Sequence, residues 1–217
     1  MKIEELILFT NNLEQQVDFY ATVLEFQIIN STPESCSFKI GQSTLVFQYK
    51  KDTVPYHFAF NIPSNKEDEA LKWLKERVEI LPFDENEIID FSSWNAKSIY
   101  FYDADKNIVE FIARKNLNIN FTEKFSSKSI LNISEIGVAT MQIPALFKRL
   151  NQILGIDVFS GDFERFCAVG DENGLFIIVH KQLKKWFPTG DKIYDSDFII
   201  KGDYNFEFKN GKIIEIT

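Results

Sequence analysis

Histidine, cysteine and methionine are each present only twice among the 217 residues. Two cysteines, Cys36 and Cys167, cannot build a disulfide framework, and no Cys-x-x-Cys pair exists to hold a structural zinc. They fall at nearly repeat-equivalent places on strand-like segments, so they read as two buried thiols in a reducing compartment, with the cytoplasm as the expected location. Basic residues are outnumbered, 24 Lys and Arg against 32 Asp and Glu, for a net charge of −8. That balance argues against nucleic acid or an anionic membrane surface as a partner, because phosphates need a basic stripe. No stretch approaches the ~20 apolar residues of a membrane span. Met1-Lys2-Ile3-Glu4-Glu5 enters a strand pattern directly, so no signal peptide is expected. Gly-rich phosphate loops, nucleotide fingerprints and a Ser/His/Asp order are missing too.

Phenylalanine, by contrast, occurs 22 times and suggests aromatic-rich strands with an apolar interior. The chain also repeats itself. Ile3-Glu4-Glu5-Leu6 returns as Ile133-Ser134-Glu135-Ile136, and Val23-Leu24-Glu25-Phe26 as Ile153-Leu154-Gly155-Ile156. Phe38 to Gly41 returns as Cys167 to Gly170, and Leu45 to Phe47 as Phe176 to Ile178. A spacing near 130 that hardly drifts marks one supersecondary unit used more than once. Paired units bury a shared face and often enclose a pocket.

Residues 3–9 read as a strand, Asn12 as a helix N-cap with Gln15 at the capping-box position, and Leu13, Val17, Tyr20 and Leu24 as the inward stripe. Three strands follow, up to Tyr49. The pattern restarts with a strand at Tyr56 to Pro63 and a helix capped by Ser64, with Glu67 as its capping-box partner. Strands at 98–102 and 108–113 flank an Asp-rich turn. Residues 116–132 read as a linker. A third run opens at Ile133, with Pro144 near a helix start, and a last run of strands lacks room for a helix. The expected fold is therefore α+β. A complete domain of two βαβββ units spans 1–115, and a degenerate second copy spans 133–217.

The order and spacing of several short motifs resemble the vicinal oxygen chelate superfamily of glyoxalases, bleomycin and fosfomycin resistance proteins and extradiol dioxygenases. They are the opening strand, Phe19-Tyr20, Val23 to Phe26, His57-Phe58-Ala59-Phe60, Ser98 to Asp103 and Asn107 to Phe111. The resemblance implies paired βαβββ units curved into a cup, tandem here with an abbreviated second copy. It also implies a divalent metal (Mn, Fe, Zn or Ni) on Glu5, His57 and Glu110, with Glu5 or Glu110 as the general base. Many relatives have His where Glu5 stands.

The residues themselves fit such a site. Glu5 shares a strand face with Ile3 and Ile7, and Glu110 with Ile108 and Ile112, where a carboxylate is costly unless paired. His57 shares a small, polar face with Ala59 and Asn61, suited to a cavity wall. Trp94, Tyr100, Tyr102 and Asn61 are the candidate substrate-binding residues. Two carboxylates with one imidazole make a hard anionic site, and the two-His iron triad of oxygen chemistry is inverted. A metal-dependent lyase or isomerase acting on a small oxygenated molecule therefore ranks above a metal-free binding protein, and above an extradiol-type dioxygenase. The plainer alternative pairs Glu5 with a Lys on a neighbouring strand and makes His57 a neutral, hydrogen-bonded side chain. Glu135, Asp197 and Glu215 stand at the corresponding places of the second half, where no His joins them, so that half reads as structural. Trp186 and Phe187 read as anchors for an interdomain or homodimer contact.

Overall fold

The structure, a computed structural model, describes residues 1–216. Its elements form four modules in chain order. The first holds β1 (Ile3–Thr10), α1 (Leu13–Asp18), which widens into a π turn over Phe19–Val23, then β2 (Ile28–Ser31), β3 (Ser35–Ile40) and β4 (Ser43–Tyr49). The second holds β5 (His57–Ile62), α2 (Glu67–Lys75), β6 (Ile89–Phe91), β7 (Ala96–Tyr102) and β8 (Ile108–Arg114). The third holds β9 (Asn132–Thr140), α3 (Ile143–Leu154), β10 (Val158–Gly161), β11 (Phe166–Asp171) and β12 (Gly174–His180). The fourth has strands alone: β13 (Phe198–Gly202), β14 (Phe206–Lys209) and β15 (Lys212–Glu215).

The repeat seen in the sequence is a repeat of register. In each complete module the first strand runs parallel to the last: Glu5↔Thr44 through Thr10↔Tyr49, His57↔Ile108 through Ile62↔Ala113, and Glu135↔Leu175 through Thr140↔His180. Parallel strands need a crossover, and the helix supplies it. Alternation then divides the faces. Leu6 and Leu8, Phe58 and Phe60, and Ile136 and Val138 belong to one large apolar core. The other face of each first strand begins with Glu5, His57 or Glu135, so these three residues hold equivalent positions. Cys36 and Cys167 are free and buried, on β3 and β11.

The modules do not pair as the sequence division suggests. β1 lies antiparallel to β13, with Glu5↔Lys201 and Ile7↔Ile199. β5 lies antiparallel to β9, with Phe58↔Ile136 and Ala59↔Glu135. The first module therefore shares its curved sheet with the fourth, and the second with the third. The expected split into 1–115 and 133–217 cuts through the second of these cups. Its physical basis is the segment between β8 and β9, which packs rather than tethers: Phe125 and Ile130 are buried in the core, with the Phe125 ring against Trp73 and Phe111.

Two expected helix caps are also displaced. Asn12 precedes α1 without a side-chain capping bond; its amide donates to Asp105 instead. The second helix starts at Glu67 rather than after Ser64, whose hydroxyl donates to the Arg114 carbonyl. Pro144 does open α3, and Gly155 at φ +63° closes it. No helix among the described residues is long and apolar enough to cross a membrane.

Candidate functional site

The cup formed by the second and third modules carries a row across three strands. Ala59 on β5 pairs with Glu110 on β8 to one side and with Glu135 on β9 to the other. The methyl of Ala59 leaves the space above it open, and both carboxylates lean into that space. His57 projects from the same face two residues earlier. Ligating atoms of His57, Glu110 and Glu135 lie within 4.8 Å of one another. The three residues are 6%, 3% and 2% exposed.

The imidazole is oriented by the backbone. His57 Nδ1 is 3.1 Å from the Ile108 carbonyl oxygen. A carbonyl only accepts, so Nδ1 carries the hydrogen and Nε2 presents a lone pair. That lone pair faces Glu110 Oε2 at 3.6 Å. Burial lowers the His57 pKa to about 4, so the ring is neutral at ordinary pH. A neutral Nε2 facing an ionised carboxylate is repulsive, and the gap calls for either a proton on the carboxyl or a cation between the two. Burial raises the pKa of both Glu110 and Glu135. The Arg114 charge opposes this for each, and the Glu110 charge pushes Glu135 further up.

Arg114, at the end of β8, is fully buried. Its Nη2 donates to Glu135 Oε1, and its Nε donates to Asn61 Oδ1 at 3.2 Å. Nη1 has no hydrogen-bond partner among the described residues. The guanidinium lies 5.5 Å from the Trp94 ring centre. Asn61 is further held by donation to the Glu172 carbonyl at 2.9 Å.

Above the acidic row opens a cavity of about 300 Å³ whose walls include Phe91, Trp94, Tyr100, Phe166, Trp186 and Phe187. Trp186 closes it from above, with its ring centre 5.0 Å from that of His57. The seat for this indole is Gly137, two residues beyond Glu135 on β9. A Cβ there would stand 2.5 Å from the Trp186 ring. The loop between β12 and β13 is pinned where Tyr102 donates its hydroxyl to Asp191, and by Trp186 N–H to the Asp191 carbonyl at 2.9 Å.

Not all the expected residues meet here. His57 and Glu110 do, and Trp94 and Tyr100 line the cavity. Glu5 does not. It sits in the other cup, partly exposed and paired at 2.6 Å with Lys201, the residue opposite it on β13. Its place is taken by Glu135, its own repeat counterpart, because β9 and not β1 lies beside β5. Tyr102 faces the covering loop, and Asn61 orients Arg114 rather than facing the cavity. Trp186 and Phe187 close the cup rather than anchoring two domains. Two signals pointed to the missed residues: the 130-residue offset that relates Glu135 to Glu5, and a glycine inside a strand, which marks close approach of another group.

The sequence matches no protein-family model and no curated protein. Similarity appears in three dimensions. A "putative dioxygenase" from Bacillus subtilis superposes with a TM-score of 0.62 at 14% identity, over 82% of this chain and 63% of that one. A variant of glyoxalase I from Zea mays superposes with a TM-score of 0.53 at 12% identity, over 82% of this chain and 66% of that one. The fold is that of the vicinal oxygen chelate proteins. The chain spans less than two thirds of the length of either structure. In this vicinal oxygen chelate fold the cup of the second and third modules is the one with buried, convergent donor atoms. At such low identity the likeness speaks for architecture, and chemistry must be argued from the side chains.

Proposed function

We propose that this protein is a metal-dependent enzyme of lyase or isomerase type, acting on a small molecule held through two neighbouring oxygens at His57, Glu110 and Glu135. The observation that supports this most is the unprotonated His57 Nε2 facing the Glu110 carboxyl across 3.6 Å, with both side chains buried. Donors about 2.1 Å from one ion stand roughly 3.0–3.4 Å apart, so this pair fits a shared cation with little movement. One imidazole and two carboxylates suit Mn, Fe, Zn or Ni. When bound, such an ion supplies Lewis-acid polarisation of the ligand's oxygens.

The remaining roles fall to the chain itself. Arg114 fixes Glu135 through an ion pair and so sets its direction. Glu110 has no such clamp and is the proton acceptor in this reading. Trp186 and Phe187 keep water from the acidic row, which strengthens every charge interaction inside. Extradiol-type oxygen chemistry ranks lower, because the set holds one His rather than two.

One observation favours a second reading, a metal-free binding protein. Arg114 already neutralises one of the two carboxyls. In that reading the ligand's affinity survives chelator and falls in Trp94→Ala. Elemental analysis of the purified protein separates the two readings, with His57→Ala as the control. Near-stoichiometric Mn, Fe, Zn or Ni, lost in the variant, supports the enzyme. No metal in either protein after incubation with excess ion removes the metal reading and leaves the binding module.

A further inference from the structure

The cavity has a cation in its wall with no ion-pair partner among the described residues. Lys184, in the loop after β12, lines the cavity together with Phe166 and Trp186. Among the described residues no carboxylate comes within 4 Å of its ammonium, and the side chain makes no hydrogen bond. Its one close companion is the Phe166 ring, whose centre lies 4.1 Å from Nζ. Lys50, Lys66 and Lys115, by contrast, each hold a carboxylate within hydrogen-bond reach.

The neighbouring charges add to the effect. Arg165 precedes Phe166 and donates to the Leu183 carbonyl at 3.1 Å, so a second cation is tied to the same loop. Burial and the Arg165 charge both lower the Lys184 pKa, and Asp162 opposes them only partly. Asp162 is itself engaged, accepting from the Glu164 and Arg165 amides at 2.7 and 3.0 Å. Lys184 and Arg165 thus place two cations beside Phe166 in the cavity wall, although the chain carries a net charge of −8. A half-desolvated ammonium over an aromatic face is best satisfied by an anion from outside.

We infer that the ligand of this cavity is a small anion with a flat apolar body, an aromatic carboxylate being the simplest case, whose charged group is taken by Lys184 while its ring packs against the aromatic cavity walls that include Trp94 and Trp186. This deepens the proposed function by naming the ligand class, and it rests on that reading only for what happens at the far end, beside His57. Aromatic walls supply sequence-tolerant stacking area, and Lys184 supplies the selection for charge. Without a metal, the acidic row on the cavity floor disfavours the opposite orientation of such an anion.

The test uses the whole protein and three probes followed by tryptophan fluorescence: benzoate, the neutral isostere benzamide, and acetate. Each is titrated with chelator and again with Mn²⁺. Benzoate is expected to bind at least tenfold more tightly than either benzamide or acetate. Lys184→Met, which keeps most of the apolar stem, is expected to abolish the preference for benzoate over benzamide, and Lys184→Arg to retain it. Far-ultraviolet dichroism checks that both variants are folded. Equal binding of benzoate and benzamide, or an unchanged preference in folded Lys184→Met, would overturn the assignment. Acetate binding as tightly as benzoate removes the aromatic part of it. The metal reading fails separately: benzoate selectivity that persists with chelator in a protein that takes up no Mn²⁺ keeps the anion site and discards the metal.

Discussion

The two cups of this molecule start from the same module and end with different chemistry. Glu5 and Glu135 hold the same position in the same six-pair ladder. Opposite Glu5 the partner strand places Lys201, at the surface, and the two form an ordinary exposed ion pair. In the following row Ile7 is flanked by Val46 and Ile199, which fill the space with apolar atoms. Opposite Glu135 the partner strand places Ala59, and beyond it Glu110. The loop carrying Trp186 then seals the result. A carboxylate at a given register is thus a surface charge or a buried ligand according to the strand next to it. Three residues of that row change together: Ala59, Glu110 and Glu135 stand where the other cup has Ile7, Val46 and Ile199.

That contrast can be tested by substitution. Arg114→Met leaves Glu135 buried without its partner, and loss of one member of such a pair costs about 3–5 kcal/mol. Urea unfolding of wild type and variant measures it, and a loss below 1 kcal/mol contradicts the idea that Arg114 holds the acidic row in place.

The next effect depends on pH. The folded-state pKa of His57 is lowered from 6.5 to about 4. The unfolded chain therefore takes up this proton first as pH falls. Stabilisation by the neutral ring is complete above 6.5 and is lost progressively toward pH 4. The stability gap between wild type and His57→Gln should narrow over that window by up to about 3 kcal/mol. Glu110 and Glu135 shift the other way, their stabilisation declining as pH rises above the ordinary carboxyl range, but both proteins contain them. A gap that is flat between pH 6.5 and 4 excludes a neutral buried His57.

Gly137→Ala comes third. The added methyl meets the Trp186 ring, and overpacking of this kind costs roughly 1–3 kcal/mol. Its signature is a change in Trp186 fluorescence quenching by acrylamide as the lid lifts; unchanged quenching means that the indole is not seated there. Glu5→Gln is the smallest change, within about 1 kcal/mol, because exposed ion pairs contribute little.

Much of this architecture was legible in the chain. The near-constant offset gave the modules, and the βαβββ order gave the crossover helices. Alternation put His57 on a small, polar face suited to a cavity wall and made Glu110 costly unless paired, and the family resemblance named both as ligands. Pairing between modules was not legible, since any first strand can lie beside any other and local patterns carry no record of the choice. The substitution of Glu135 for Glu5 follows directly from that. Trp186 and Lys184 escaped for another reason: they lie in an aperiodic loop between Lys181 and Phe198, where sequence shows polarity but not direction. Asn61 was placed on the right face and given the wrong task, because the buried Arg114 that it orients lies four residues beyond Glu110 on β8.

The most direct measurement is calorimetric titration of Mn²⁺ into the wild type, Glu135→Gln and Glu5→Gln. The account predicts one site in the wild type, equal affinity in Glu5→Gln, and at least hundredfold weaker binding in Glu135→Gln. Binding that is lost in Glu5→Gln and retained in Glu135→Gln would place the centre in the other cup and contradict the pairing of modules on which everything here depends.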